Sequence, residues 1–275
     1  MIGTQDHRED NNAKLSSIVE GDGLVETSAV EAKTVRDAEV PRHDVLRRLA
    51  TRAMGLTGAD IERIVREARL KARRQKRPLS YADVEAGIRG HRPPVPADQR
   101  WRLAVHEAGH AVVHHALRLG AITGISIDTP EGGSNTISFA NGGSGTVEWH
   151  NRLLVLLMAG RAAELLLFKA ASAGSGGAEH SDLGRATRIA LDMEQALGFG
   201  GKLPLLYLHH RDPTPVLSHN PDLAARVHQR LEVGQARATE VIMENRPVFD
   251  RLVRELFDAQ VLDGEAVMAI LTSEA

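Results

Sequence analysis

Apolar residues recur at helical spacing along most of the chain, and a short alternating stretch interrupts them. Ile61, Ile64, Val65 and Ala68 follow the 3.6-residue period. Thr57 stands before them as a cap, with Asp60 three residues on to favour the N-terminus. Ser80 and Asp83 open a second helix that carries Val84, Ala86 and Ile88. A preceding helix is expected over 41–52, with Val45, Leu46 and Leu49 on one face and Pro41 at its first position. Over 101–119, Leu103, Val105, Ala111, Val112, Ala116 and Leu117 supply apolar faces, and Gly120 reads as the stop. Alternation then predicts strands over 124–128 and 135–139, joined by a turn at Gly132-Gly133. Residues 146–169 form a long, very apolar helix, expected to be buried on several sides. Ser181 caps a helix over 182–197, and 205–208 read as a short strand. Helices follow over 223–244, 247–259 and 264–271. Residues 1–40 are acidic and without a period, which predicts disorder. His91-Arg92-Pro93-Pro94-Val95-Pro96 is a stiff linker and the expected domain boundary. Residues 141–145 and 171–177 read as loops of small residues.

Composition narrows the function classes. With 275 residues the chain has room for one large or two smaller domains. Aromatics make up only 3%, so the core must come from Leu, Val, Ile and Ala. There is no cysteine, so any metal site must use histidines and carboxylates. A formal net charge of -2 provides no global field for nucleic acid or membrane. The basic run Arg69, Lys71, Arg73, Arg74, Lys76, Arg77 reads as a solvated helix end, because no aromatic interleaves it to stack a base. No apolar run approaches the ~20 residues that span a bilayer. Without a signal-peptide pattern either, a cytoplasmic protein is expected.

The chemistry lies in His106-Glu107-Ala108-Gly109-His110, an H-E-x-x-H inside a predicted helix. Residues four apart share one helix face, so His106 and His110 can hold one Zn²⁺ at about 2.0–2.1 Å. Glu107 then stands beside the metal, free to act as general base on an activated water. Gly109 costs a helix interior about 1 kcal/mol relative to Ala, which close packing against another element would explain. A catalytic zinc takes three protein ligands and one open position. His114 cannot be the third, since eight residues of helix separate it from His106 by about 12 Å. It and His115 read as surface or core histidines. Val113 and Ala116 stand where a metzincin needs Gly and His. A thermolysin-like site needs a downstream Glu, and Glu131, Glu148 and Glu164 are formal candidates. Asp182, at a helix start behind a Gly-rich loop, is another. The residues alone leave Glu164 and Asp182 open.

Four segments resemble the C-terminal part of the FtsH-type AAA zinc metalloprotease family. Met54-Gly-Leu-Thr-Gly-Ala-Asp-Ile61, continuing to Glu67-Ala68, resembles the opening of that family's helical ATPase lid. His106-Glu-Ala-Gly-His110 with Ala111-Val112 resembles its zinc helix. Ala159-Gly-Arg-Ala-Ala-Glu164-Leu165 and Ser181-Asp-Leu-Gly-Arg-Ala-Thr187 resemble its G-R-x-A-E-E-L and S-N-D-L-x-x-A-T segments. Leu203–Tyr207 is similar to its G-P-L-L-Y. The likeness covers roughly residues 50–275. It implies Asp182 as third zinc ligand, and Glu164 as the partner that orients a ligating histidine.

The expected fold is mainly α, a helical zinc-peptidase domain over 97–275 with a small β-hairpin or sheet. A lid-like helical domain over 41–92 and a linker over 93–96 precede it. The implied activity is zinc-dependent endopeptidase cleavage of unfolded polypeptides, with Glu107 as base. Thr136, Ile137 and Ser138 are candidates to pair with substrate as an added strand. The resemblance also implies a ring of identical subunits, or a complete FtsH-type partner. The departures bear on regulation. No G-x-x-x-x-G-K-[ST] occurs, so no nucleotide site and no motor of its own is expected. His180, beside Asp182, stands as a competing nitrogen ligand, and Leu165 replaces the second Glu of A-E-E-L. The alternatives are a non-enzymatic assembly or regulatory subunit docking on complete FtsH-type proteases, or a remnant of a longer one.

Overall fold

The computed structural model describes residues 46, 49, 50, 52, 53, 56–91, 95–129, 132–139, 145–210 and 212–273. The disorder expected over 1–40, much of the helix expected over 41–52, Pro93 and Pro94 of the linker, Glu131 and most of the 141–145 loop lie outside them. Two compact units emerge, Met1–Pro94 with Asp128–Pro130, and Val95–Ile127 with Glu131–Ala275.

In the first unit, helix α1 (Gly58–Arg74) starts where the Thr57 hydroxyl accepts from the Asp60 N–H and the Asp60 carboxylate reaches back to the Thr57 N–H, both at 3.2 Å. Helix α2 (Tyr81–Gly90) starts with the Asp83 carboxylate accepting from the Ser80 N–H at 2.9 Å and from its hydroxyl at 2.7 Å. Such caps typically contribute about 1 kcal/mol. The two helices bury Ile61, Ile64, Val65, Ala68, Val84 and Ile88 in one small core. Lys71, Arg73, Arg74 and Lys76 are exposed, as a solvated helix end requires, while Arg77 grips Asp83 with two bonds of 2.6 Å.

The second unit is built around helix α4 (Val147–Phe168), in which every residue from Leu153 to Gly160 is buried. Helix α3 (Ala97–Ala116), α5 (Asp182–Gln195) and α7 (Pro221–Glu244) pack on it. This is why its sequence is apolar all round. On one side of α4, α3 and the sheet meet helix α8 (Arg246–Ala259) through Val105, Val112, Ile125, Phe249 and Leu252. On the other, α5 and α7 close over Leu154 and Met158 with Leu191, Met193 and Leu223. Strands β1 (Gly120–Thr129), β2 (Gly132–Phe139) and β3 (Val261–Asp263) form a sheet in the order β2-β1-β3. Strand β3 runs antiparallel to β1, with Ile125 opposite Leu262. Helix α9 (Gly264–Thr272) follows, its N-terminus capped by Asp263, and α6 (Pro213–Ser218) lies between α5 and α7. Mainly α with a small sheet is the architecture the periodicity predicts.

Several expectations need correction. Helix α3 ends at Ala116, one turn before Gly120. Arg118 takes the left-handed conformation at φ 50, and the Leu119 N–H closes on the His114 carbonyl at 3.1 Å. Gly120 opens β1 instead. Gly132 and Gly133 lie within β2, not in a turn. Residues 205–208 form no strand; they have no neighbouring ladder, and Leu205 is 96% exposed. Helix α5 stops at Gln195 rather than 197. Strand β3 and helix α6 are too short for a period to reveal. Among the described residues no helix is long and apolar enough to cross a membrane.

Candidate metal centre

Helix α3 turns His106 and His110 to one side, and the N-terminus of α5 brings Asp182 to meet them. The three ligand atoms form a nearly equilateral triangle. His106 Nε2 lies 3.1 Å from His110 Nε2 and 3.1 Å from Asp182 Oδ2, and His110 Nε2 lies 3.0 Å from Asp182 Oδ2. Ligands about 2.0 Å from a tetrahedral ion stand about 3.3 Å apart, close to these edges.

The rest of the hydrogen-bond network fixes what the triangle contains. His106 Nδ1 faces Glu164 Oε1 at 2.9 Å, and His110 Nδ1 faces the Leu156 carbonyl at 2.9 Å. Both partners only accept, so both Nδ1 atoms donate, and in neutral imidazoles both Nε2 atoms carry lone pairs. With both rings neutral, two nitrogen lone pairs and a carboxylate oxygen therefore converge on one point. Such a donor set fits a cation, and the mixture of two imidazoles and one carboxylate is that of a catalytic zinc site. His106, His110 and Asp182 are also the group among the described residues whose side chains converge closely enough to hold an ion.

Electrostatics agree with the geometry. Burial would pull the His106 imidazolium down, but its bonds to Asp182 and Glu164 outweigh that and push it up to about 10. Burial raises the Asp182 carboxyl, yet the His110 charge and bonds to both histidines hold it well below the usual carboxylate range. Glu164 is 1% exposed. Against its burial, His106, Arg102 at 2.8 Å and the N–H and hydroxyl of Ser172 at 2.7 and 3.0 Å hold its carboxyl at about 2. It is thus an anion that receives the outer proton of His106. Glu107 is buried next to the triangle, and burial pushes its carboxyl up against the pull of both histidines.

Two glycines make this arrangement possible. A Cβ on Gly109 would stand 2.8 Å from both the Ala159 carbonyl and the Ala163 Cβ, so the glycine lets α3 and α4 touch, as its cost in a helix predicts. A Cβ on Gly160 would stand 2.3 Å from His106 Nε2. Beside the triangle opens a cavity of about 940 Å³, with Ile137, Phe139, Trp149, Leu153 and Ile189 on its apolar wall.

The other candidates fall elsewhere. Glu148 is exposed and pairs with Arg152. Glu164 meets the far nitrogen of His106, not the triangle. His180 is exposed and outside the ligand group, although it lines the cavity. His114 is buried, with neither ring nitrogen partnered among the described residues, and burial pushes it down to about 4. His115 is half-buried. Thr136, Ile137 and Ser138 lie on β2, an edge of the sheet, where Ile137 reaches the cavity wall. Sequence reasoning did not single out Asn135, Arg102, Ser172 or Gly160, whose partners are distant along the chain.

Comparison with known proteins places the chain. The sequence profile described as "Peptidase family M41" matches residues 95–270. The chain is 29% identical to ATP-dependent zinc metalloprotease FtsH 1 of Sorangium cellulosum, over 81% of its own length and 39% of that protein's. It is 32% identical to ATP-dependent zinc metalloprotease FtsH of Methylibium petroleiphilum, over 82% of this chain and 40% of the relative. With FtsH 2 of Symbiobacterium thermophilum the identity is 27%, over 99% of this chain and 55% of the relative. The chain thus spans about two fifths to just over half the length of these relatives. A profile match over most of the second unit, including all three residues of the triangle, means that the chain belongs to peptidase family M41.

Proposed function

We propose that this chain is a zinc metalloendopeptidase acting on unfolded polypeptides. The observation that carries this reading is the triangle of His106 Nε2, His110 Nε2 and Asp182 Oδ2, three potential ligand atoms at 3.0–3.1 Å from one another. Zinc held there would supply a Lewis acid with an open position, able to lower the pKa of a water to about 7. The relatives are named zinc metalloproteases, which supports that choice of ion.

The protein's own groups supply the rest. Glu107 removes the proton from the attacking water and returns it to the leaving amine, so no net proton is consumed. Glu164 fixes the ring of His106 from the far side, so that Nε2 is the ligating atom. An extended substrate adds to the edge strand β2 and sets a side chain against Ile137, Phe139 and Trp149. Residues 41–92 act as a lid-like unit, and the chain assembles with identical subunits in a ring or with a complete FtsH-type partner.

Metal analysis of the purified protein and cleavage of unfolded casein, with and without chelator, test this. One zinc per chain and chelator-sensitive cleavage are expected. Glu107→Gln should keep zinc and lose about 10²–10⁴-fold in turnover. His110→Ala should lose the zinc. Stoichiometric zinc in His110→Ala would remove the ligand assignment. Zinc without cleavage in the wild type would favour a binding or assembly role.

A further inference from the structure

Strand β2 does more than border the cavity, because it holds the carboxylate of Glu107. Asn135 Nδ2 donates to Glu107 Oε2 at 2.5 Å and to the Glu107 main-chain carbonyl at 3.1 Å. One amide therefore ties the side chain of Glu107 to its own backbone. Among the described residues this is the hydrogen bond that the carboxylate receives. The second oxygen is also set by β2. A Cβ at Gly133 would stand 2.2 Å from Glu107 Oε1 and 2.5 Å from its Cγ, so the bare backbone of the strand lies against it. Asn135 Oδ1 is buried with no partner among the described residues, so only the two Nδ2 bonds orient the amide. Both acceptors require a donor, which fixes which end of the amide faces Glu107.

We propose that Asn135 is a positioning residue for Glu107, and that β2 thereby joins the edge where substrate pairs to the group that moves the proton. The inference rests on the general-base role proposed above for Glu107. The physical reason is geometric. A buried, flexible carboxylate without its bond samples rotamers that aim it away from the water, and misplacement by about 1 Å can cost on the order of 10²-fold in rate. Zinc ligation does not pass through Asn135, and neither does the apolar wall. The loss should therefore appear in kcat and not in KM or metal content.

The test uses the zinc-loaded full chain with a fluorogenic unfolded peptide. Asn135→Leu keeps the size and removes the donor; Asn135→Ala replaces it if the Leu variant misfolds. We expect kcat to fall about 10–100-fold, with KM within twofold and one zinc per chain. Asn135→Gln, which retains a donor, should recover most of the loss. A second measurement is independent of activity. In metal-free protein the ¹³C carboxyl resonance of Glu107, identified by its disappearance in Glu107→Gln, should move in Asn135→Leu. A kcat within twofold of wild type, or a rise in KM alone, overturns the inference, as does an unmoved Glu107 resonance. If the wild type cleaves nothing, the proposed activity fails, while the resonance still decides whether Asn135 holds Glu107.

Discussion

Adding one methyl group at Gly160 should separate metal binding from folding. The Cβ in Gly160→Ala would stand 2.3 Å from His106 Nε2, 2.4 Å from Cε1 and 2.6 Å from Cδ2. Non-bonded carbon atoms rest about 3.5–4.0 Å apart, so the imidazole must retreat by about 1 Å. Zinc–ligand distances tolerate only about ±0.2 Å, and the ring cannot yield without breaking its 2.9 Å bond to Glu164. His106 should therefore leave the site. Loss of an outer partner typically lowers metal affinity about 10–100-fold, and loss of a ligand should exceed that. The cost to folding is smaller. Overpacking of about 1–3 kcal/mol is offset by about 1 kcal/mol from replacing a helical glycine with alanine. For a unit of this size each kcal/mol moves Tm by about 2–4 °C. Metal-free Gly160→Ala should thus melt within several degrees of wild type by circular dichroism, while a chelator-competition titration finds its zinc affinity reduced more than 100-fold. Unchanged zinc affinity in a folded Gly160→Ala protein would refute the close approach of α4 to His106, and the ligand geometry with it.

Three further outcomes are expected. Glu164→Gln, which removes the anion behind His106, should weaken zinc about 10–100-fold in the same titration; no change would show that His106 needs no such orientation. Metal-free His106, pushed up to about 10 by Asp182 and Glu164 despite its burial, is protonated at pH 8 and must become neutral to ligate. Zinc binding should then release about one proton from this group, and apparent affinity should rise about tenfold per pH unit between about pH 7 and 10, falling as pH falls. Calorimetry in buffers of different ionisation enthalpy measures this, and a flat profile from pH 7 to 9 would contradict it. The 275-residue chain holds no G-x-x-x-x-G-K-[ST], so purified alone it should neither hydrolyse ATP nor respond to it in casein cleavage. Folded substrates, protected by about 5–15 kcal/mol, should resist it.

The sequence by itself determined what is local. The 100° step of an α-helix puts His106 and His110 on one face whatever surrounds them, so two proposed ligands and an adjacent carboxylate are legible from spacing alone. The caps at Thr57 and Ser80 and the all-round apolar run of α4 are legible for the same reason, since each depends on neighbours within a few residues. The proposed third ligand is not of this kind. Glu164 and Asp182 are both acids downstream of the motif, and the residues alone left them open. Tertiary packing separates them. Helix α4 crosses α3 at Gly109 and Gly160 so closely that Glu164 arrives behind His106 at Nδ1, while α5 delivers Asp182 in front, at Nε2. Asn135 and Gly133 meet Glu107 only because β2 folds back over α3, a contact across 28 residues for Asn135 that no period records. Helical geometry is encoded in nearest neighbours, whereas the distance between two elements is set by which side chains, or which missing ones, stand between them.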